Sequence, residues 1–349
     1  MKLIKVLVVD DSAVMRGVMN RVINAQPDMT VVGLANDPIV AMERMRISEP
    51  DVITLDVEMP RMDGLEFLKR LMRTRPVPVV MVSSLTERGA DVTLRALELG
   101  AVDFIPKPQF ATDEDIAAYA EEVSEKLRAA AGATVERPRE TRVPPPKSVA
   151  LARSAPASFS GDKLIVVGSS TGGVEALRAV LANLPDNMPP MLIAQHMPGG
   201  FTRSFAKRLD ALCEIGVGEG EDREVLRPGR AYIAPGGRHM LLSGPAGRPA
   251  IKLSDAPPVN RHRPSVDLLF RSAAEVAGRR CIGVMLSGMG SDGAEAMRLM
   301  RDKGAYNLAQ DEASCVVFGM PKQAISARAV HEILPLRDIA RRLIDLCVA

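Results

Sequence analysis

Gly168-Ser169-Ser170-Thr171-Gly172 follows an apolar run, Leu164–Val167, and precedes a helical pattern. A serine in a G-x-S-x-G turn between strand and helix has the shape of a nucleophile. The sharp turn exposes the hydroxyl, small flanks avoid clashes, and N–H groups at the helix start face a developing oxyanion. Two other readings fit the segment. Glycines between strand and helix also cradle phosphate, although G-x-G-x-x-G is not met and the P-loop lysine is missing; or the segment is only a turn. A serine hydroxyl needs a base. Of four histidines, His196 ends the strand pattern Met191–Ala194 at Gln195-His196, on the edge expected to carry Ser170. His239 lies in a Gly-rich turn, His262 in Asn260-Arg261-His262-Arg263-Pro264 and His331 near the C-terminus. Asp292 follows the strand Cys281–Leu286 in Gly288-Met289-Gly290-Ser291-Asp292-Gly293 and is placed to orient a histidine. The order Ser, His, Asp differs from that of α/β-hydrolases. A dyad of Cys315 with a histidine is the remaining catalytic alternative, against a reading of Cys315 as a buried small apolar residue.

A second constellation lies upstream. Asp10 and Asp11 follow the strand Lys5–Val9, Asp56 ends Val52–Leu55, Ser83 ends Val77–Val82, and Lys107 follows Val102–Ile105. Ligands of an open α/β sheet sit beyond the carboxyl ends of its strands, so these five side chains converge on one edge. Three carboxylates close together need a cation, and oxygen ligands beside a phosphate suit Mg²⁺. Lysine supplies a point charge to a phosphoryl oxygen and serine a hydrogen bond. The plainer alternative makes Asp10 and Asp11 helix N-caps, Asp56 a turn residue and Lys107 a surface charge.

The elements behind these residues alternate. Five apolar strands, the last of this first part Val102–Ile105, are separated by helical stretches such as Ala13–Ala25, Pro38–Ile47 and Glu66–Arg73. This argues for a parallel sheet covered on both faces. From Ala129 the pattern dissolves into Arg137-Pro138-Arg139-Glu140 and Pro144-Pro145-Pro146-Lys147, a composition that cannot order itself. A second α/β pattern starts at Lys163. Within it Ala231–Ala234, Met240–Leu242 and Ala250–Leu253 read as short strands of an antiparallel excursion. The fold class is therefore α/β with two doubly wound parallel-sheet domains: residues 1–127, a basic Pro-rich linker over 128–158, and residues 159–349.

Composition narrows the function. The 349 residues are 46% hydrophobic and 25% charged, which is ordinary for a globular chain. No apolar run reaches the roughly 18 residues of a membrane span, and the N-terminus lacks a secretory signal, so a cytoplasmic protein without membrane insertion is expected. The four cysteines form no Cys-x-x-Cys pair, which argues against a zinc or redox site. Aromatic residues are 3%, with no Trp, leaving few platforms for stacking bases. Charge is uneven. Residues 1–125 carry 14 Lys/Arg against 21 Asp/Glu, residues 126–160 carry 7 against 2, and residues 161–349 carry 24 against 20. A nucleic-acid binder concentrates basic charge on a folded face, so none is expected as partner. A phosphorylation-controlled DNA-binding output would need a compact helix-turn-helix with a basic face; a non-catalytic scaffold would make the serine turn structural.

Residues 1–125 resemble a response-regulator receiver domain through Val8-Val9-Asp10-Asp11-Ser12, Thr54-Leu55-Asp56-Val57-Glu58-Met59-Pro60-Arg61-Met62-Asp63-Gly64, Val82-Ser83-Ser84 and Lys107-Pro108. The resemblance implies a flavodoxin-like fold and Asp56 as acceptor of a phosphoryl group from a histidine kinase. It implies Mg²⁺ on Asp10, Asp11, Asp56 and the carbonyl of Glu58, with Ser83 and Lys107 sensing the phosphoryl group. It also suggests a cis Lys107–Pro108 bond. Residues 161–349 resemble the catalytic domain of chemotaxis protein-glutamate methylesterases. The shared segments are Gly168–Gly173, Gln195-His196-Met197-Pro198, Phe201–Ala206, Tyr232–Gly236, Asn260–Asp267 and Gly288–Gly293. This resemblance implies a three-layer α/β/α esterase domain with Ser170 as nucleophile, His196 as base, Asp292 as its orienter, and the N–H groups of Thr171 and Met289 as oxyanion donors. It implies demethylation of glutamate methyl esters and deamidation of glutamines on chemoreceptors, activated by phosphorylation, with no cofactor for the ester reaction. The residue before the nucleophile is often Ala in that family and is Ser169 here; the G-x-S-x-G spacing favours Ser170.

Overall fold

A computed structural model describes residues 3–59, 63–84, 86–108, 113–133, 135, 159, 162–245 and 247–348. Pro60, Arg61 and Met62 of the receiver-like motif, and most of the expected linker, lie outside the described residues. The chain divides into two compact units near residues 141 and 142.

In the first unit β1 (Ile4–Val9), β2 (Met29–Ala35), β3 (Val52–Asp56), β4 (Val79–Ser83) and β5 (Asp103–Pro106) alternate with five helices. These are α1 (Ala13–Asn24), α2 (Pro38–Ser48), α3 (Gly64–Thr74), α4 (Glu87–Glu98) and α5 (Asp113–Ala131). The sheet is parallel in the order β2-β1-β3-β4-β5, the flavodoxin-like arrangement. All residues of β3 and β4 are buried, as near-continuous apolar runs require when helices cover both faces. Ser12, Asp37, Asp63 and Thr86 cap the first four helices, each side chain accepting from a backbone N–H of the first turn. The cap of α1 is thus Ser12, and neither Asp10 nor Asp11 is used for it. Helix α5 runs to Ala131, four residues into the span read as linker. Ala129–Ala131 are good helix formers, and Arg128 ties the helix to Asp28 at 2.7 Å.

The second unit contains β6 (Leu164–Ser169), α6 (Gly173–Leu181), β7 (Met191–Gln195), α7 (Phe201–Asp210), β8 (Gly216–Glu219), β9 (Arg230–Ile233), β10 (His239–Ser243) and β11 (Ala250–Ser254). It continues with α8 (Val266–Val276), β12 (Cys281–Met285), α9 (Ala294–Asp302), β13 (Tyr306–Gln310), α10 (Met320–Ser326), β14 (Glu332–Leu334) and α11 (Leu336–Cys347). Seven parallel strands run in the order β14-β13-β12-β6-β7-β9-β8, and β10 and β11 form a separate antiparallel pair. The segment Ala231–Ala234, read as part of the antiparallel excursion, is instead β9 of the main sheet, parallel to β7 and β8. Its buried Ala231, Tyr232 and Ile233 suit an interior strand, whereas β10 and β11 keep half-exposed positions. The short strands β8, β13 and β14 carried no separate expectation. Phe270 of α8, Met285 of β12 and Val166 of β6 belong to one buried cluster, which fixes α8 against the sheet centre.

Candidate functional site

The chain enters the second sheet at its middle. From β6 it moves to β7 on one side and later returns to β12 on the other. A switch in winding direction opens a crevice at the carboxyl ends of the strands. Met285, Gly168 and Ala194 stand in register across β12, β6 and β7, and Ser169 pairs with Gln195. Ser170 and His196 are the next residues of neighbouring strands, which lie roughly 4.8 Å apart.

Two of the three residues expected to form a triad are joined directly. His196 Nε2 lies 2.9 Å from Asp292 Oδ2. An ionised carboxylate only accepts, so Nε2 carries the proton and Nδ1 holds the lone pair. That Nδ1 is buried and has no hydrogen-bond partner. Ser170 makes no bond to it, and such contacts commonly tighten only with substrate. Asp292 is 2% exposed and also accepts from Asn260 Nδ2 (2.8 Å), Ser265 Oγ (2.9 Å), Val266 N (2.7 Å) and Asp267 N (3.3 Å). Burial opposes its charge, but the bonds from His196, Asn260 and Val266 hold the carboxyl well below the usual range. The two backbone donors open α8, so the helix N-terminus adds its positive end. Asn260 and Ser265 sit in a segment marked as a motif but given no role. Their signal is chemical: small polar residues just before an apolar helix.

The adjacent serines separate by environment. Ser169 is fully buried and donates to Gln195 Oε1 at 2.7 Å, whereas Ser170 is half-buried. Gln195 also donates to the carbonyls of Ser170 (2.9 Å) and His196 (3.2 Å), stapling the serine turn to the histidine strand. No role had been assigned to it. Gly172 has φ +76°, and a Cβ there would stand 2.5 Å from Val316 Cβ, so the turn into α6 needs glycine. A Cβ on Gly288 would stand 2.9 Å from Ser170 Cβ and would overlap Met320 Sδ. The peptide leading into Met289 therefore lies against the nucleophile turn. Ser287 Oγ bonds the Thr171 carbonyl at 2.8 Å, linking the two segments expected to donate to an oxyanion.

The other candidates are placed as follows. Burial pushes the Cys315 thiol up to about 12, which keeps it protonated and a poor nucleophile. His239 is buried, between Pro257 O and Ser265 N. His331 accepts from Asn307 N near the start of β13, at the opposite edge. His262 stacks on His196, with ring centroids 3.6 Å apart.

In the first unit the register Val9 to Leu55 places Asp10 beside Asp56. Carboxylate oxygens of Asp10, Asp11 and Asp56 lie within 4.8 Å of one another. Burial and then Asp56 raise Asp10 to about 6, and burial raises Asp56 despite the Lys107 ammonium 2.9 Å away. Asp10 Oδ2 is buried without a partner. A like-charged set with two buried members, an exposed Asp11 and an orphaned oxygen fits a hard divalent cation. Glu58 follows two residues on, its N–H donating to Asp56 Oδ1 at 3.3 Å. Ser83 lies at the same edge, but its hydroxyl bonds the Ser84 and Gly89 carbonyls (3.3 Å each) rather than the acidic cluster. The Lys107–Pro108 bond is trans, the form favoured for X–Pro by about 0.5–1 kcal/mol; the cis bond among the described residues is Arg263–Pro264.

Comparison with known proteins agrees with both units. Residues 165–343 match the CheB methylesterase family model and residues 6–120 the response regulator receiver domain. The chain is 56% identical over 347 residues to the protein-glutamate methylesterase/protein-glutamine glutaminase of Thiobacillus denitrificans, covering 99% of this chain and 97% of that protein. It is 55% identical to the protein of that description from Nitrosomonas europaea, over 99% and 96%. The crystal structure of the Thermotoga maritima CheB methylesterase catalytic domain matches 54% of this chain and 99% of that one, with TM-score 0.52 and 42% identity. The chain belongs to the CheB methylesterase family: a receiver domain joined to a hydrolytic catalytic domain. No helix among the described residues is long and apolar enough to cross a membrane.

Proposed function

We propose that the chain removes methyl groups from glutamate γ-methyl esters of chemoreceptors, deamidates certain of their glutamines, and does so faster when Asp56 is phosphorylated. The observation that carries this reading is the His196–Asp292 pair, whose unpartnered Nδ1 stands at the strand end next to the Ser170 turn. Ser170 Oγ attacks the ester carbonyl while His196 Nδ1 takes its proton. The C–O bond to the methyl group's oxygen breaks, and the imidazolium returns the proton so that methanol leaves. Asp292 stabilises the imidazolium without taking its proton. Water, deprotonated by the same nitrogen, then cleaves the acyl-enzyme and frees Ser170. The N–H groups of Thr171 and Met289 hold the oxyanion, and losing one such donor costs about 10²–10³-fold. The same acyl chemistry on a glutamine releases ammonia.

In the receiver, Asp56 accepts the phosphoryl group from a histidine kinase. Asp10, Asp11, Asp56 and the Glu58 carbonyl would hold Mg²⁺, which neutralises the crowded oxygens of carboxylate and phosphate. Lys107, 2.9 Å from Asp56, is placed to move its charge onto the phosphoryl group, and Ser83 would do so by rotating its hydroxyl from the backbone carbonyls.

Methanol release from methylated receptor membranes, with and without Mg²⁺ and a small phosphodonor, tests both sites. Wild type should release methanol and respond to the phosphodonor, and Ser170→Ala should lose about 10⁴-fold or more. Release that survives Ser170→Ala would remove the nucleophile. Release indifferent to phosphodonor would remove the coupling.

A further inference from the structure

Asp292 holds His196 at one nitrogen only. A single hydrogen bond leaves an imidazole free to swing about the N···O axis. The second restraint is a ring. His262 lies face to face with His196, centroids 3.6 Å apart and planes 14° from parallel, closer than the usual 4.5–7 Å between aromatic pairs. The segment carrying His262 is itself pinned. Val259 and His262 exchange backbone hydrogen bonds of 2.9 and 3.1 Å, and Asn260 reaches Asp292. Buried His239 bonds Pro257 O and Ser265 N on either side.

We propose that His262 is a positioning residue for ester hydrolysis: its ring fixes the plane of His196. The proposal rests on the reading of His196 as general base. A neutral His262 presents a π-face to the imidazolium that forms on His196 during attack.

Charged groups stand on both sides of the pair. Asp292 faces His196 from the loop after β12. Arg261 and Arg263 flank His262, and the Arg263 guanidinium is bonded to the carbonyls of Asp255 and Ala256. Arg238 next to β10 is paired with Asp255 at 2.8 Å. His239 receives the Ser265 N–H at Nδ1 and faces the Pro257 carbonyl at Nε2.

The test measures methanol release from methylated receptor membranes between pH 5 and 9, using the full chain with Mg²⁺ and phosphodonor. His262→Ala should lower kcat by about 10²-fold, the size of a misplaced catalytic group, with KM little changed. His262→Phe, which keeps a flat ring, should recover at least about tenfold of that loss. Equal losses in the two variants, or no loss in either, would overturn the proposal. Thermal unfolding of each variant separates a folding defect from lost positioning. His196→Gln and Ser170→Ala run alongside: if they stay active, the base reading has failed, and if only they lose activity, the fault lies with His262 alone.

Discussion

Asp292 is the residue on which most of the site's polar interactions converge, and its surroundings make two measurable demands. Five donors surround a buried carboxylate; an amide in its place turns an N–H₂ towards at least one of them. Asp292→Asn should therefore lower methanol release about 10⁴-fold, as loss of the tautomer-fixing carboxylate does in serine triads, while substrate binding persists. The second demand concerns pH. The folded carboxyl lies below its unfolded value, so its stabilisation is complete above about pH 4 and drains as pH falls towards about 2. Urea midpoints of wild type and Asp292→Asn should differ at pH 6 and converge across that window. A constant difference would mean that packing, not charge, is at stake. Ser169 makes a contrasting case. Ser169→Ala leaves Gln195 Oε1 buried without its donor, which costs about 1–3 kcal/mol of stability, and methanol release should persist. Residue types pointed to Ser170, His196 and Asp292 because each stands at a strand end. Gln195, Asn260, Ser265 and His262 were harder to read. Their roles depend on the path of the segment 255–265, which no periodicity describes, and on which way an amide or ring turns.

At the scale of elements, the parallel sheets were legible because buried strands are apolar runs closed by Gly, Ser or Asp, and that signal survives without knowledge of neighbours. Strand partners were not. Ala231–Ala234 has the length of an excursion strand, and only its pairing with Met191–Ile193 reveals an interior place. The extension of α5 likewise depended on Arg128 finding Asp28 across the unit. The close approach of two loops makes the element-scale prediction. Gly288 lets the segment after β12 touch the turn after β6, and a methyl group there meets Ser170 Cβ and Met320 Sδ. Overpacking of this kind costs about 1–3 kcal/mol, and displacing the proposed oxyanion donor next to it costs about 10²–10³-fold in rate. Gly288→Ala should thus fold, melt a few degrees lower, and lose far more activity than stability. Full activity at a lowered melting temperature would show that the Met289 peptide takes no part in the chemistry.

Across the whole chain, two sheets present two kinds of edge, and each edge has its own ionic requirement. The crowded carboxylates of the first unit include an orphaned oxygen on Asp10 and favour a divalent cation. In the second unit the buried carboxylate of Asp292 is surrounded by hydrogen-bond donors, so it has no such need. The demand of the first unit was legible from the spacing of acids at strand ends. The linker segment between the units could be read only as composition. Chelation should therefore divide the activity. With excess chelator, basal methanol release should continue while stimulation by phosphodonor disappears, and adding Mg²⁺ should restore it. Asp56→Asn should behave like the chelated wild type whether or not Mg²⁺ is present, because the proposed phosphoryl acceptor is gone. Lys107→Ala should still take up phosphate from the donor but transmit less of it as activity, since the charge that bridges to Asp56 at 2.9 Å is missing. Measuring phosphate incorporation beside methanol release separates these cases. Loss of basal release on chelation would place a metal requirement in the ester chemistry itself, and the metal-free mechanism at Ser170 would then fall.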